Sequence, residues 1–422
     1  MYKRLKLENG LKIVTKRLSS VQSVALGIWI NIGSRYENPG QKGISHFLEH
    51  LLFKGSRKYS CRTIKESIEG VGGSLNGFTS EEHTCYLVKI PHRYLSSALN
   101  ILSDMVINPS LAPADIVKER TVILEELKMY RDLPQSYVYE LLDALLWPSQ
   151  ALGSPIIGTV ETVNNISRDV IKSFRANHYT PANIVISAAG LLDHDFLVKK
   201  VSTIFSSIKS AKINTFLKAK QCQDKPQLNI FYKDTEQTHM ALGFHALERD
   251  HPLRHAQSIL HIILGANMSS RLFNEVREKR GLAYEIGTGL KRYYDTGAFL
   301  VHAGIDNQKV SDCLGLIFQE LGKTKKSLIS KDEFKRAKEF YLGQLSLALE
   351  DTMEYMLWMG ESVACLDKVY SLEQVIKEVA KISLEDVRAV ARQVFRNEAI
   401  NLALIGPLKI SQGQIYNKLI IG

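Results

Sequence analysis

Apolar and polar positions alternate along this chain in two rhythms. Across residues 24–32, Val24, Leu26, Ile28, Ile30 and Ile32 fall on one side. Ala25, Gly27, Trp29 and Asn31 fall on the other, which predicts a strand buried on at least one face. Upstream, residues 5–7 and 11–15 flank Glu8-Asn9-Gly10 and predict a hairpin. After a loop at 33–42, the stretch 43–55 predicts a short helix. Phe47, Leu51 and Leu52 would anchor one side of it, and Gly55 would supply a left-handed stop. A second helix over about 63–69 ends at Gly70-Val71-Gly72-Gly73, and strands follow near 74–79 and 83–90. A longer helix is expected from about 113 to 129, opened by Pro113-Ala114-Asp115.

The pattern then recurs. Ile166-Ser167-Arg168-Asp169-Val170, followed by the apolar run 184–190, resembles Ile382-Ser383-Leu384-Glu385-Asp386-Val387, followed by 400–406. Likewise His239-Met240-Ala241-Leu242-Gly243-Phe244 echoes Ser23-Val24-Ala25-Leu26-Gly27-Ile28. An offset of roughly 216 residues indicates a duplicated domain rather than a solenoid. The polar, lysine-rich stretch 209–226 reads as a linker between domains at 1–208 and 227–422. Strands and helices mix in each half, with short connections. This predicts an α+β protein of two homologous domains, each a mainly antiparallel sheet packed with helices.

Composition adds limits. The 422 residues suffice for two such domains with sizeable cores, and 45% hydrophobic against 23% charged residues is a globular balance. No apolar run reaches the length a membrane span needs. Patterned sequence starts almost at once, without a signal or transit peptide, so the expected location is the cytoplasm. The cysteines Cys61, Cys85, Cys222, Cys313 and Cys365 are scattered and form no CxxC pair, which argues against a disulfide framework or a cysteine zinc site. The net charge of +10 raises the question of a nucleic-acid partner. Its lysines and arginines are spread along the chain without a nucleic-acid motif, so a solvated basic surface and no such partner are expected.

The candidate chemistry lies in the helix at 43–55. His46 and His50 stand four residues apart, so their imidazoles project from one helix face and can share a divalent cation, zinc being the usual occupant. Glu49 is placed beside that position, able to act on a bound water. A solvated polar face would have the same composition. Within the longer helix, Glu119 and Glu126 are seven residues apart and share a face, and a carboxylate there could complete a His2Glu set. Two acids on one helix are also a common solvated pattern. In the second half, Ala256–Gly265 stands where the metal helix should recur and holds His261 alone, expected to be structural.

His46-x-x-Glu49-His50 with the later Glu119-Arg120-x5-Glu126 resembles the pitrilysin/insulinase family of inverted-motif zinc peptidases. The likeness extends over the whole chain, including Gly72-Gly73-Ser74-Leu75-Asn76-Gly77-Phe78-Thr79 and residues 270–278. It points in particular to the half-length branch of bacterial processing-type proteases and the mitochondrial processing peptidase. The resemblance implies one zinc ion per chain held by His46, His50 and Glu126, with Glu49 as general base and Glu119 as a supporting acid. It implies that Asn76, Gly77 and Phe78 bind substrate beside the scissile bond, where the family often has alanine in place of Gly77. It further implies that Arg277 and Tyr284 hold the substrate carbonyl. The expected function is a zinc-dependent endopeptidase acting on peptides or unfolded, presequence-like segments. The alternative is a catalytically silent binding or assembly subunit. Longer family members carry four such domains, with the metal site in the first and the Arg/Tyr pair in the fourth. This two-domain chain is therefore expected to form a homodimer with a composite active site.

Overall fold

A computed structural model describes residues 2–206, 208, 215–408 and 412–421. The chain forms two compact units, each interleaved along the sequence. The first comprises Met1–Lys128, Pro155–Leu217 and Ser346–Ser371, and the second Met129–Ser154, Lys218–Leu345 and Leu372–Gly422.

In the first unit the strands are β1 (Lys3–Lys6), β2 (Lys12–Arg17), β3 (Ser23–Ile30), β4 (Ser74–Thr79), β5 (Thr84–Pro91) and β6 (Ile184–Gly190). They form one sheet in the order β1-β2-β6-β3-β5-β4, antiparallel except for the parallel β2/β6 pair. The predicted hairpin is β1 paired with β2, Lys3 opposite Thr15, and Gly10 takes φ +93° in its turn. Strand β3 stops at Ile30, two residues short of the expected end, although Ile32 is still buried.

Five helices occur up to residue 146: α1 (Ile44–Leu52), α2 (Cys61–Glu69), α3 (Leu95–Ile107), α4 (Pro113–Asp132) and α5 (Pro134–Leu146). Next come α6 (Val160–Asn165), α7 (Arg168–His178) and α8 (His194–Phe205). One face of the first sheet buries Leu26, Ile28 and Ile30 with Phe47, Leu51 and Leu52 of α1 and apolar residues of α3, α7 and α8. The helix α1 ends at Leu52 and not at Gly55. Phe53 caps it in helical geometry, and Gly55, at φ +138°, instead turns the chain into a bridge with Ser60.

The second unit holds β7 (Gln227–Phe231), β8 (Gln237–Ala246), β9 (Ala283–Arg292), β10 (Gly297–Asp306) and β11 (Asn401–Ile405), ordered β7-β11-β8-β10-β9. Only β7/β11 is parallel. This order repeats β2-β6-β3-β5-β4 of the first sheet, so the duplication read from the sequence is a duplication of topology. Its helices are α9 (Arg254–Gly265), α10 (Val310–Lys326) and α11 (Lys331–Ala348), and, after α12 (Thr352–Leu366), α13 (Leu372–Lys381) and α14 (Leu384–Val394).

Two helices depart from a division into contiguous halves. From the C-terminal half, α12 lies on the first unit's sheet, where Met356, Met359 and Val363 bury against Val14, Ala25, Trp29 and Val185. From the N-terminal half, α5 lies on the second unit's sheet through Val138, Leu142 and Leu146. Burying a side chain of this size is worth about 1.5–3 kcal/mol. Each sheet therefore closes its second apolar face with a helix from the other half of the sequence. Within the expected linker, residues 209–214 lie outside the described residues. Phe216 packs on Tyr36 and under the Arg35 guanidinium in the first unit, whereas Ala219 and Lys220 hydrogen-bond Asp295 and Gln150 in the second.

Candidate metal centre

The site in the first unit is assembled from α1, α4 and the end of β4. On α1 the i,i+4 spacing brings the rings of His46 and His50 to a centroid separation of 4.6 Å. Helix α4 is held beside α1 by Arg120, whose guanidinium donates to the carbonyls of Val163, Asn164 and Ile166 and lies 5.4 Å from the Phe47 ring. Glu126 Oε2 then stands 3.6 Å from His50 Nε2 and 3.9 Å from His46 Nε2. Among the described residues, His46, His50 and Glu126 are the one group of three such side chains close enough to hold a metal ion. Donors about 2.1 Å from a tetrahedral ion stand about 3.4 Å apart, so a small contraction of this set accommodates zinc. Glu125, by contrast, is exposed and pairs with Lys128 at 2.7 Å.

The protonation state of His46 suits a cation. Burial, reinforced by the neighbouring His50, lowers His46 to about 3, which keeps its imidazole neutral and able to coordinate. Its Nδ1 is buried without a hydrogen-bond partner, so the ring's polar contacts are confined to its Nε2 side. His50 Nδ1 lies 3.3 Å from Glu119 Oε2, which leaves Nε2 toward Glu126. The buried Glu119 is itself held by Lys54, Nζ to Oε1 at 2.7 Å. A carboxylate behind a histidine fixes its tautomer and orientation.

Glu49 is also buried on α1, and its Oε2 accepts the Thr79 hydroxyl at 2.6 Å. Burial raises its carboxyl above the ordinary range, as does the nearby Glu126, while Thr79 and His50 act in the opposite sense. A carboxylate raised in this way is better suited to accept a proton near neutral pH. Thr79 ends β4, which also carries Asn76, Gly77 and Phe78. Among the described residues β4 pairs only with β5 and so is an edge strand. The Phe53 ring lies where a Cβ at Gly77 would be, 2.9 Å from its Cζ, so alanine here requires that ring to move.

Arg277 and Tyr284 stand together in the second unit. Arg277 is carried on a π-helical turn, Phe273–Glu278, with its guanidinium 4.7 Å from the Phe273 ring and 5.4 Å from the Tyr284 ring. Tyr284 is 75% exposed. His261 on α9 bonds Thr288 Oγ1 through Nδ1 at 2.7 Å and faces no metal-binding group of described residues. The sequence reading missed Lys54, Thr79 and Glu37, whose carboxylate accepts the N–H groups of Gly43 and Ser45 at the start of α1. Lys54 and Thr79 border recognised motifs, but Glu37 sits in a loop that has no periodicity to mark it.

Known proteins resemble this chain over nearly its whole length. Residues 12–160 match the model of insulinase, peptidase family M16, and residues 165–341 match that of the peptidase M16 inactive domain. An uncharacterized zinc protease of Streptomyces coelicolor is 38% identical over 416 residues, covering 97% of this chain and 90% of that protein. One from Bacillus subtilis is 38% identical over 411 residues, covering 96% and 98%. The crystal structure of a protease from Helicobacter pylori superposes with a TM-score of 0.91 at 23% identity, covering 96% of this chain and all of that one, a likeness of fold. On the strength of these full-length relatives, the chain belongs to peptidase family M16.

Proposed function

We propose that this protein is a zinc-dependent endopeptidase acting on peptides and unfolded, presequence-like segments, with His46, His50 and Glu126 as metal ligands and Glu49 as general base. The observation that carries the reading is the convergence of the His46 and His50 imidazoles on Glu126, with Glu49 on the same helix as the histidines. A zinc ion in this set would supply a Lewis acid and a water of lowered pKa. Thr79 holds Glu49 by one oxygen, leaving the other to take the proton of the attacking water and deliver it to the departing amine. Glu119, backed by Lys54, keeps His50 oriented. The free edge of β4 offers main-chain groups to an extended substrate by strand addition, with Asn76, Gly77 and Phe78 alongside. Relatives named as zinc proteases support the same reading.

Arg277 and Tyr284 are assigned to the substrate carbonyl, acting from one copy of a homodimer on the metal site of the other. Their solvent exposure in the second unit supports this. The test is cleavage of a mixed peptide library with and without a chelator, with Glu49→Gln alongside. That variant should retain zinc and lose about 10²–10⁴-fold in turnover, the usual contribution of a general base. Mixed with an Arg277→Ala/Tyr284→Ala chain under subunit exchange, it should regain activity. Near-normal turnover of Glu49→Gln would exclude the mechanism. A wild-type chain that binds zinc and cleaves nothing would favour the silent assembly subunit.

A further inference from the structure

Between β3 and α1 the chain makes two short 3-10 turns, Ser34–Tyr36 and Pro39–Gln41, and Glu37 lies between them. Its carboxylate is buried, and both oxygens are used: Oε2 accepts the N–H of Gly43 and Oε1 that of Ser45, each at 2.8 Å. The first N–H groups of a helix have no partner within it and are ordinarily met by a side chain at the N-cap. That device is excluded here. The N-cap is Gly43 at φ +92°, and a Cβ on it would stand 2.5 Å from the Ile157 carbonyl oxygen. A remote carboxylate substitutes for the local cap and places negative charge at the positive end of the α1 dipole.

The same loop is tied on its other side to the turn after β4. Ser34 N donates to Ser80 O and Arg35 N to Glu81 O, at 3.1 and 2.8 Å, and the preceding residue, Thr79, holds Glu49. Glu37 therefore stands between the helix that carries His46, Glu49 and His50 and the strand end that orients Glu49. Burial pushes its carboxyl up to about 7 although both backbone N–H groups pull it down, so the carboxylate form prevails in mildly alkaline solution. In the second unit the N-cap of α9, Leu253, gives its N–H to the imidazole Nδ1 of His251 at 3.0 Å rather than to a carboxylate, and that helix assembles no metal group of described residues.

We propose that Glu37 is a positioning residue of the metal centre: its carboxylate holds the first turn of α1 in the placement that brings His46 and His50 to Glu126, and so sets the metal affinity of the site. This rests on the metal reading above, and the experiment separates the two. Zinc affinity is measured by competition with a chromophoric chelator at mildly alkaline pH, with the cobalt absorption spectrum as a second readout. Urea unfolding of the metal-free chains reports stability. Glu37→Gln keeps the shape and one acceptor but loses the charge, while Glu37→Asp keeps the charge and is too short to span both N–H groups. The control is Asp193→Ala, which removes the N-cap of α8, a helix of the same unit without metal ligands.

Glu37→Gln should weaken zinc binding about 10–100-fold, the usual effect of losing a group that orients ligands, and alter the cobalt spectrum, with Glu37→Asp falling between it and wild type. Asp193→Ala should lower the urea midpoint and leave zinc affinity within about twofold, as expected for a distant site. A folded Glu37→Gln that binds zinc within about twofold of wild type overturns the proposal. Should that variant fail to fold, wild-type affinity in Glu37→Asp overturns it equally. If the wild-type chain itself binds no zinc, the metal reading fails rather than the role of Glu37.

Discussion

The two sheets of this protein share one strand order, yet the helices α1 and α9 that pack beside them have parted chemically. On α1, His46 and His50 face Glu126, and Glu49 and Glu119 complete a polar cluster within otherwise apolar surroundings. On α9, Ile259, Ile262 and Ile263 continue the apolar core, and its two histidines are engaged elsewhere, His261 by Thr288 and His255 by Glu378 and Tyr341. The fold thus tolerates either content, because the packing of helix on sheet depends on the apolar stripe. The chemistry depends on a few polar residues on the other side of the helix, together with the groups that hold them. Duplication gave two scaffolds, and one of them carries the converging group of His46, His50 and Glu126.

The largest test of that contrast is on α4. With Glu126 as the proposed third ligand, Glu126→Gln should weaken zinc binding by more than the about 10–100-fold that supporting groups are worth, whereas Glu125→Gln should leave affinity unchanged. Metal analysis giving the opposite order would place the wrong face of α4 toward the histidines. A second contrast concerns the helices that cross between halves of the sequence. A Cβ at Gly360 of α12 would stand 2.1 Å from Trp29 Nε1, an atom already bonded to Ser187 Oγ, so Gly360→Ala should cost about 1–3 kcal/mol by overpacking. Gly343, on α11, has open space at the same position, and Gly343→Ala should stabilise by up to about 1 kcal/mol. Equal urea midpoints in the two variants would mean that the seat of α12 is not tight.

A third contrast is read through pH. Burial, with Arg292 and His302 nearby, lowers His261 from 6.5 to about 4. Between those values the unfolded chain takes up a proton that the folded chain refuses, so stability rises with pH across this window and is lost as pH falls from about 6.5 toward 4. His261→Gln should reduce the slope in that window, leaving the shares of the other histidines that burial lowers, His245 to about 4 and His46 to about 3 among them. Unfolding midpoints at several pH values between these limits check it. An unchanged slope would show that His261 does not remain neutral in the fold.

Much of this arrangement is legible without coordinates because it is local. Period-two alternation marks β3, the four-residue spacing places His46 and His50 on one face of α1, and the recurrence near 216 residues announces the repeated sheet. Helix ends were less legible. Gly55 suits a helix stop, but the chain had already left the helix at Phe53 and needed the glycine for the bridge to Ser60.

What the sequence by itself determined, then, is which residues alternate, which share a helix face, and that the pattern occurs twice, since these depend only on backbone geometry. Tertiary structure alone decided which surfaces meet. An apolar stripe on α5 or α12 demands burial but does not name the sheet that provides it, and each helix landed on the sheet of the other half. The same holds for polar partners distant in the chain, Glu119 behind His50, Lys54 behind Glu119 and Thr79 on Glu49, and for Glu37, whose unpatterned loop must fold back onto the head of α1. Whether a carboxylate is solvated or held at a helix terminus depends on what packs around it. That burial, which shifts His46 down and Glu49 up, exists only once the chain has folded.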